Sequence, residues 1–184
     1  MKKPAHVIEI FLQPGEFYFG DRDTRIRTIL GSCVSITIWH PSLLIGGMCH
    51  YILPTRCRGI SDDLDGRYAD EAMELFMREI RASRTHPSEY QVKLFGAGYM
   101  FPTAKKEPDN CSGKSCNPMK SPCRNVSCRN EQSAQLLVKQ YGFSIQAKSL
   151  GGAGSRQVFF DIWNGHVWSR QNPIIAPINR KKAA

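Results

Sequence analysis

Residues 29–39, ILGSCVSITIW, and residues 44–53, LIGGMCHYIL, decide how this chain is read. From Val34 to Trp39 apolar and polar residues alternate, the period of a strand with one face on a core. Val34, Ile36 and Ile38 share the apolar face, and Cys33, Ser35, Thr37 and Trp39 share the other. The second stretch is a further strand, in which Gly46-Gly47 marks a close backbone approach or a bulge. A four-residue loop, His40-Pro41-Ser42-Leu43, joins the two as a hairpin. Trp39 then faces Leu44 and, counting back along both strands, Cys33 faces His50. Cβ atoms of opposed residues lie about 4.5–5.5 Å apart, within reach for a thiol and an imidazole. Cys49 points to the opposite face.

Outward from this hairpin, strands are expected at residues 7–12 and 24–30, with a Pro14-Gly15 turn between them. A polar segment, residues 54–66, leads to a helix whose Ala69, Ala72, Met73, Phe76, Met77 and Ile80 recur at helical spacing. Asp70, Glu71 and Glu74 open it and Arg78 and Arg81 close it, as the helix dipole favours. A strand at 91–95 runs into Gly96-Ala97-Gly98. Residues 103–124 lack periodicity and read as an irregular, Cys-rich insert. A second helix is expected at 129–141, with Ala134, Leu137, Val138 and Tyr141 inward and Gly142 as its C-cap. Strands at 143–149, 157–163 and 166–170 follow, the last two joined by an Asn164-Gly165 turn. The expectation is one α+β domain over residues 1–170, a mixed sandwich of many largely antiparallel strands with two main helices. Residues 171–184 are expected as a flexible basic tail.

The 184 residues suit a single domain with a real core. No apolar run is long enough for a membrane helix, and the N-terminus lacks the apolar stretch of a signal peptide, so the expected address is the cytoplasm. The net charge of +9 is unevenly placed: Lys2, Lys3, Arg180, Lys181 and Lys182 sit at the ends, and the insert is basic. The body is close to neutral, which argues against a nucleic-acid surface.

A cysteine beside a histidine is the minimum unit for acyl transfer, because the imidazole promotes the thiolate that attacks a carbonyl. Backbone N–H groups of the Gly31-Ser32-Cys33 turn are placed to hold the resulting oxyanion. The competing reading is that Cys33 is a small buried hydrophobe. Gly96 and Gly98 lack the strand–turn–helix context of a nucleotide loop and are read as glycines permitting close packing beside the site. Cys111, Cys116, Cys123 and Cys128 could form a tetrahedral zinc site, although the tight spacing of zinc knuckles is missing. The simpler expectation is a mobile loop without metal. His6, His40, His86 and His166 read as exposed or structural, His40 in the hairpin loop.

The block 30–34 (LGSCV), His50 within 47–54 (GMCHYILP), and 67–70 (RYAD) together resemble the CheD family of chemoreceptor glutamine deamidases. Residues 95–101 (FGAGYMF), 125–130 (NVSCRN), and 150–152 (LGG) with Arg156 resemble it too, in family order. The resemblance implies the fold of cytotoxic necrotizing factor toxins, no cofactor, and hydrolysis of receptor glutamine amides to glutamate. It implies Cys33 as nucleophile and His50 as base. In some members the family's catalytic threonine stands six residues before the cysteine. Here Arg27 occupies that place and Thr28 follows it, so Thr28 is the candidate for the third role. The implied partners are receptor cytoplasmic helices and a CheC-type phosphatase. The alternative function is a non-catalytic adaptor docking on either. A zinc-dependent interaction domain built on the late cysteines is a third reading.

Overall fold

A computed structural model describes residues 3–56, 63–100 and 125–174. In chain order these form β1 (Ile8–Phe11), β2 (Phe17–Gly20), β3 (Thr24–Leu30), β4 (Val34–His40) and β5 (Ile45–Cys49). Then come α1 (Ala69–Ala82), β6 (Gln91–Gly96), α2 (Val126–Gln140), β7 (Ser144–Leu150), β8 (Ser155–Asp161) and β9 (His166–Asn172). The strands make a four-stranded sheet, β1-β3-β8-β9, and a five-stranded sheet, β2-β5-β4-β6-β7. Only β1–β3 and β6–β7 pair in parallel; every other pair is antiparallel. The fold is thus α+β with a largely antiparallel sandwich, as expected.

The alternation of β4 sorts its side chains between two cores. Val34, Ile36 and Ile38 join Cys49, Tyr51, Val92 and Leu94 beneath α1 and α2. Cys33 and Trp39 join Met48 and Phe95 on the other face, against Ile26, Leu30, Val158 and Phe160 of the four-stranded sheet. Helix α1 buries Ala69, Ala72, Met73, Phe76 and Ile80 of the expected stripe, with Met77 half-buried against the same core. A buried Arg25–Asp161 pair, with contacts of 2.6 and 3.0 Å, ties β3 to β8 where these residues face each other.

The hairpin register differs from expectation by two residues. His40 remains in β4 and pairs with Ile45, so Trp39 faces Gly46 and the loop is residues 41–44. The His40 ring accepts from the Leu43 N–H at 3.2 Å, and Leu44 closes the turn at φ 53. Gly46 and Gly47 form no bulge; both pair in unbroken register with β4 and β2. A Cβ on Gly46 would sit 2.4 Å from the Ile38 carbonyl oxygen, and one on Gly47 would sit 2.6 Å from that of Tyr18. These glycines let β5 lie close between its neighbours. Beyond β5, Val34 bridges Tyr51. Cys33 therefore stands opposite Ile52, and His50 opposite Ser35. Because the shift is even, no side chain changes face.

Other differences are smaller. The edge strand β2 was not expected, since its FYFG sequence shows no alternation. Helix α2 starts at Val126 rather than 129, with the Asn125 side chain accepting from Ser127 N–H at 2.9 Å. Strands β7 and β8 are offset by one or two residues from the expected bounds. Strand β9 continues to Asn172, into the expected tail, because its Gln171 and Asn172 pair with Arg156 and Ser155. The irregular insert at 103–124, with Cys111, Cys116 and Cys123, lies outside the described residues, as do residues 175–184. Among the described residues no helix is long and apolar enough to cross a membrane.

Candidate active site

Strand β3, TRIRTIL, turns Thr24, Ile26, Thr28 and Leu30 inward, all buried. Arg27 points the other way, ion-paired with Glu9 and lying over the Phe11 ring. Position 27 is therefore on the outer face, and Thr28 supplies the inward hydroxyl. Its Oγ1 donates to the Leu12 carbonyl oxygen at 2.8 Å and lies 2.7 Å from His50 Nδ1. A hydroxyl has one proton. With that proton on Leu12, Oγ1 accepts from His50, so the Nδ1–H tautomer follows. Nε2 then carries the free lone pair; it is buried and has no hydrogen-bond partner among the described residues. The backbone of His50 is held by the chain just before β2: its N–H donates to Glu16 O at 2.9 Å and its carbonyl accepts from Gly15 N at 2.7 Å.

Cys33 is half-buried in the turn between β3 and β4. Every carbonyl of that turn is taken. Gly31 O accepts from Gly98 N–H at 2.8 Å, Ser32 O from Asn130 Nδ2 at 3.0 Å, and Cys33 O from Ala97 N–H at 2.7 Å. Gly96 makes this possible: its φ is 119°, and a Cβ there would lie 2.2 Å from Cys33 O. At Gly98 a Cβ would lie 2.4 Å from Gly154 O. The Ser32 and Cys33 N–H groups, by contrast, donate to no other residue among the described residues. The turn thus spends its acceptors on structure and leaves two adjacent donors beside the thiol.

Burial pushes the Cys33 thiol up, partly opposed by its own N–H, which favours the thiolate. Burial also lowers the His50 imidazole to about 4, against smaller opposing effects of the Leu12 carbonyl and Glu16. Near neutral pH both groups are uncharged, so a thiolate must form as substrate is attacked. A stability consequence follows. The unfolded chain protonates His50 near its ordinary 6.5, the folded chain only near 4. This contribution is full above pH 6.5 and is lost as the pH falls to about 4, about 3 kcal/mol in all. Denaturant unfolding across that window should show this slope, and His50→Gln, which does not titrate, should flatten it. An equal slope in both proteins would contradict the buried neutral imidazole.

Several residues that matter here were named in the sequence without a role of their own. Asn130 is buried and donates to both Ser32 O and Ile52 O. Arg156 Nη1 donates to Gly96 O at 2.8 Å, and its Nη2 to Gly151 O at 3.1 Å. Ser35 Oγ, opposite His50 in register, is buried and has no hydrogen-bond partner among the described residues. Asn125, just after the expected insert, is the N-cap of α2, whereas the helix was expected to start only at 129. Cys49 lies in the helix-side core with its thiol pushed up to about 12 by burial, which leaves it inert. Cys128 belongs to α2 rather than to the insert, its sulfur 3.4 Å from Gln132 Nε2. Among the described residues no group of three or more metal-binding side chains occurs. His40 is buried at the end of β4, edge-on to Tyr90, not in the loop. His86 caps a short 3-10 turn, while His6 and His166 are on the surface.

Comparison with known proteins bears on this arrangement. The family model described as CheD chemotactic sensory transduction matches residues 52–171. The match begins just after His50, but full-length relatives extend across it. "Probable chemoreceptor glutamine deamidase CheD" of Pseudomonas savastanoi pv. phaseolicola is 48% identical over 176 residues, 96% of this chain and 92% of that protein. The protein of the same name from Pseudomonas fluorescens is 45% identical over 174 residues, 95% and 90% of the two chains. "Probable chemoreceptor glutamine deamidase CheD 1" of Leptospira interrogans is 39% identical over 168 residues, 90% and 94%. Among solved structures, Bacillus licheniformis hypothetical protein YfiH aligns with 72% of this chain and 49% of its own, at TM-score 0.41 and 10% identity. With relatives this similar along nearly its whole length, the chain belongs to the CheD family.

Proposed function

We propose that this protein hydrolyses glutamine side-chain amides of methyl-accepting chemoreceptors to glutamate, releasing ammonia. The observation that carries the reading is the Thr28–His50 hydrogen bond, which leaves Nε2 unprotonated on the face shared with Cys33. The names of the relatives supply the substrate class. The reading places the protein's work in the cytoplasm, where receptor helices are reached.

His50 Nε2 takes the Cys33 proton as the sulfur attacks the amide carbon. The oxygen of the tetrahedral intermediate accepts from the Ser32 and Cys33 N–H groups, the two donors the turn gives to no other residue. The C–N bond breaks as His50 returns the proton to nitrogen, and ammonia departs. A thioester between Cys33 and the glutamyl carbonyl remains. His50 then removes a proton from water attacking that carbonyl, and the C–S bond breaks to give glutamate. The proton returns to the thiol. Gly96 and Gly98 act beneath this chemistry, by letting residues 96–98 close over the turn.

The experiment is coupled-assay measurement of ammonia from a purified chemoreceptor cytoplasmic domain mixed with this protein. Release that grows with time and enzyme concentration is expected. Stable binding of the domain with no ammonia would instead support an adaptor.

A further inference from the structure

We infer that Asn130 is a positioning residue for the Cys33–His50 pair, acting as a clamp that joins the two segments carrying it. This rests on the deamidase reading for its consequence in turnover, though not for its geometry. Cys33 lies in the turn from β3 to β4, whereas His50 follows β5. In this region the ladder between them has thinned: β5 ends at Cys49, and one bridge, Val34 to Tyr51, continues it. Asn130 spans that weak end. One Nδ2 proton goes to Ser32 O at 3.0 Å, immediately before the nucleophile, and the other to Ile52 O at 2.8 Å, two residues after the base.

The clamp is itself anchored. The Asn130 carbonyl accepts from the Tyr51 hydroxyl at 2.5 Å, and both residues are fully buried. One turn earlier, Ser127 Oγ donates to Gly98 O at 2.9 Å, and Gly98 N–H donates in turn to Gly31 O at 2.8 Å. The start of α2 thus grips residues 31–33, 50–52 and 96–98 together. An amide is the only side chain of this size that presents two donors from one atom without charge, which two facing carbonyls require. Its Oδ1 is buried and has no hydrogen-bond partner among the described residues. A buried polar atom left unpaired costs stability, so the site retains Asn130 for its two donors despite that cost.

The test uses the full chain. Asn130→Ala removes both donors, and Asn130→Asp keeps the shape but sets a carboxylate against two carbonyls. On a purified chemoreceptor cytoplasmic domain, kcat should fall about 30-fold in Asn130→Ala and further in Asn130→Asp, with KM within about twofold. Circular dichroism at assay temperature confirms which variants are folded. Wild-type kcat in a folded variant, or a loss confined to KM, would overturn the clamp.

A second readout needs no turnover: iodoacetamide alkylation of Cys33, followed by peptide mass spectrometry. His50→Ala should change that rate about tenfold in the native background and less than about twofold when Asn130 is Ala. The same factor in both backgrounds would overturn the inference. If the wild type releases no ammonia while this coupling holds, the deamidase reading fails and the clamp stands.

Discussion

Cys33→Ala should fold like the wild type and lose about 10³-fold or more of its ammonia release from a chemoreceptor cytoplasmic domain. The fold is expected to survive because the Cys33 side chain is half-buried, and its segment is held by backbone. Ala97 N–H holds its carbonyl, and Val34 is bridged to Tyr51. Activity is lost because among the described residues no other thiol can replace it: Cys49 faces the helix-side core, its thiol pushed up to about 12, and Cys128 belongs to α2. Cys33→Ser should be nearly as inactive, since a hydroxyl in the same place yields its proton to an imidazole far less readily. Wild-type-like turnover in the alanine variant would remove Cys33 from the mechanism.

The second large effect concerns the base. His50→Ala should lower kcat about 10³-fold, within the range by which a placed acid–base group accelerates proton transfer. Thr28→Val, nearly the same shape, should lower kcat about 10²-fold with KM little changed. Valine leaves the His50 Nδ1–H and the Leu12 carbonyl without their shared partner. The ring is then free to carry its proton on Nε2, where it cannot accept from the thiol. Thr28→Ser retains the hydroxyl and should recover most of the activity. Arg27→Thr should recover nothing in a Thr28→Val background, because residue 27 faces outward beside Glu9. Rescue by that substitution would show that the third role belongs to the position and not to the inward hydroxyl.

The sharing of one face by Cys33 and His50 was readable from the alternation alone, and a two-residue slip in pairing left it intact. The slip arose at a turn whose chemistry gives little warning. Leu44 adopts a positive φ without being glycine, asparagine or aspartate, and the His40 ring, expected in the loop, caps the turn from the strand. The inward position of Thr28 follows from the same period-two logic in TRIRTIL, which places Arg27 outside. Asn130 stood in the family-like block 125–130, but its role was not legible, for a different reason. Helical patterning marks apolar residues that face a core, and a polar side chain buried for two specific carbonyls has no such signature. The helix itself was expected to start only at 129, one residue before Asn130, so its first turn with the Asn125 cap was not read as helix.

On the proposed mechanism a thiol at residue 33 converts receptor glutamine to glutamate. The most direct measurement is residue-level peptide mass spectrometry of one chemoreceptor cytoplasmic domain, incubated in parallel with wild type, Cys33→Ala and buffer. Gains of about 1 Da, the change from amide to acid, are expected at particular glutamines with the wild type alone. The same gains with Cys33→Ala, or no gain with the folded wild type, would contradict it.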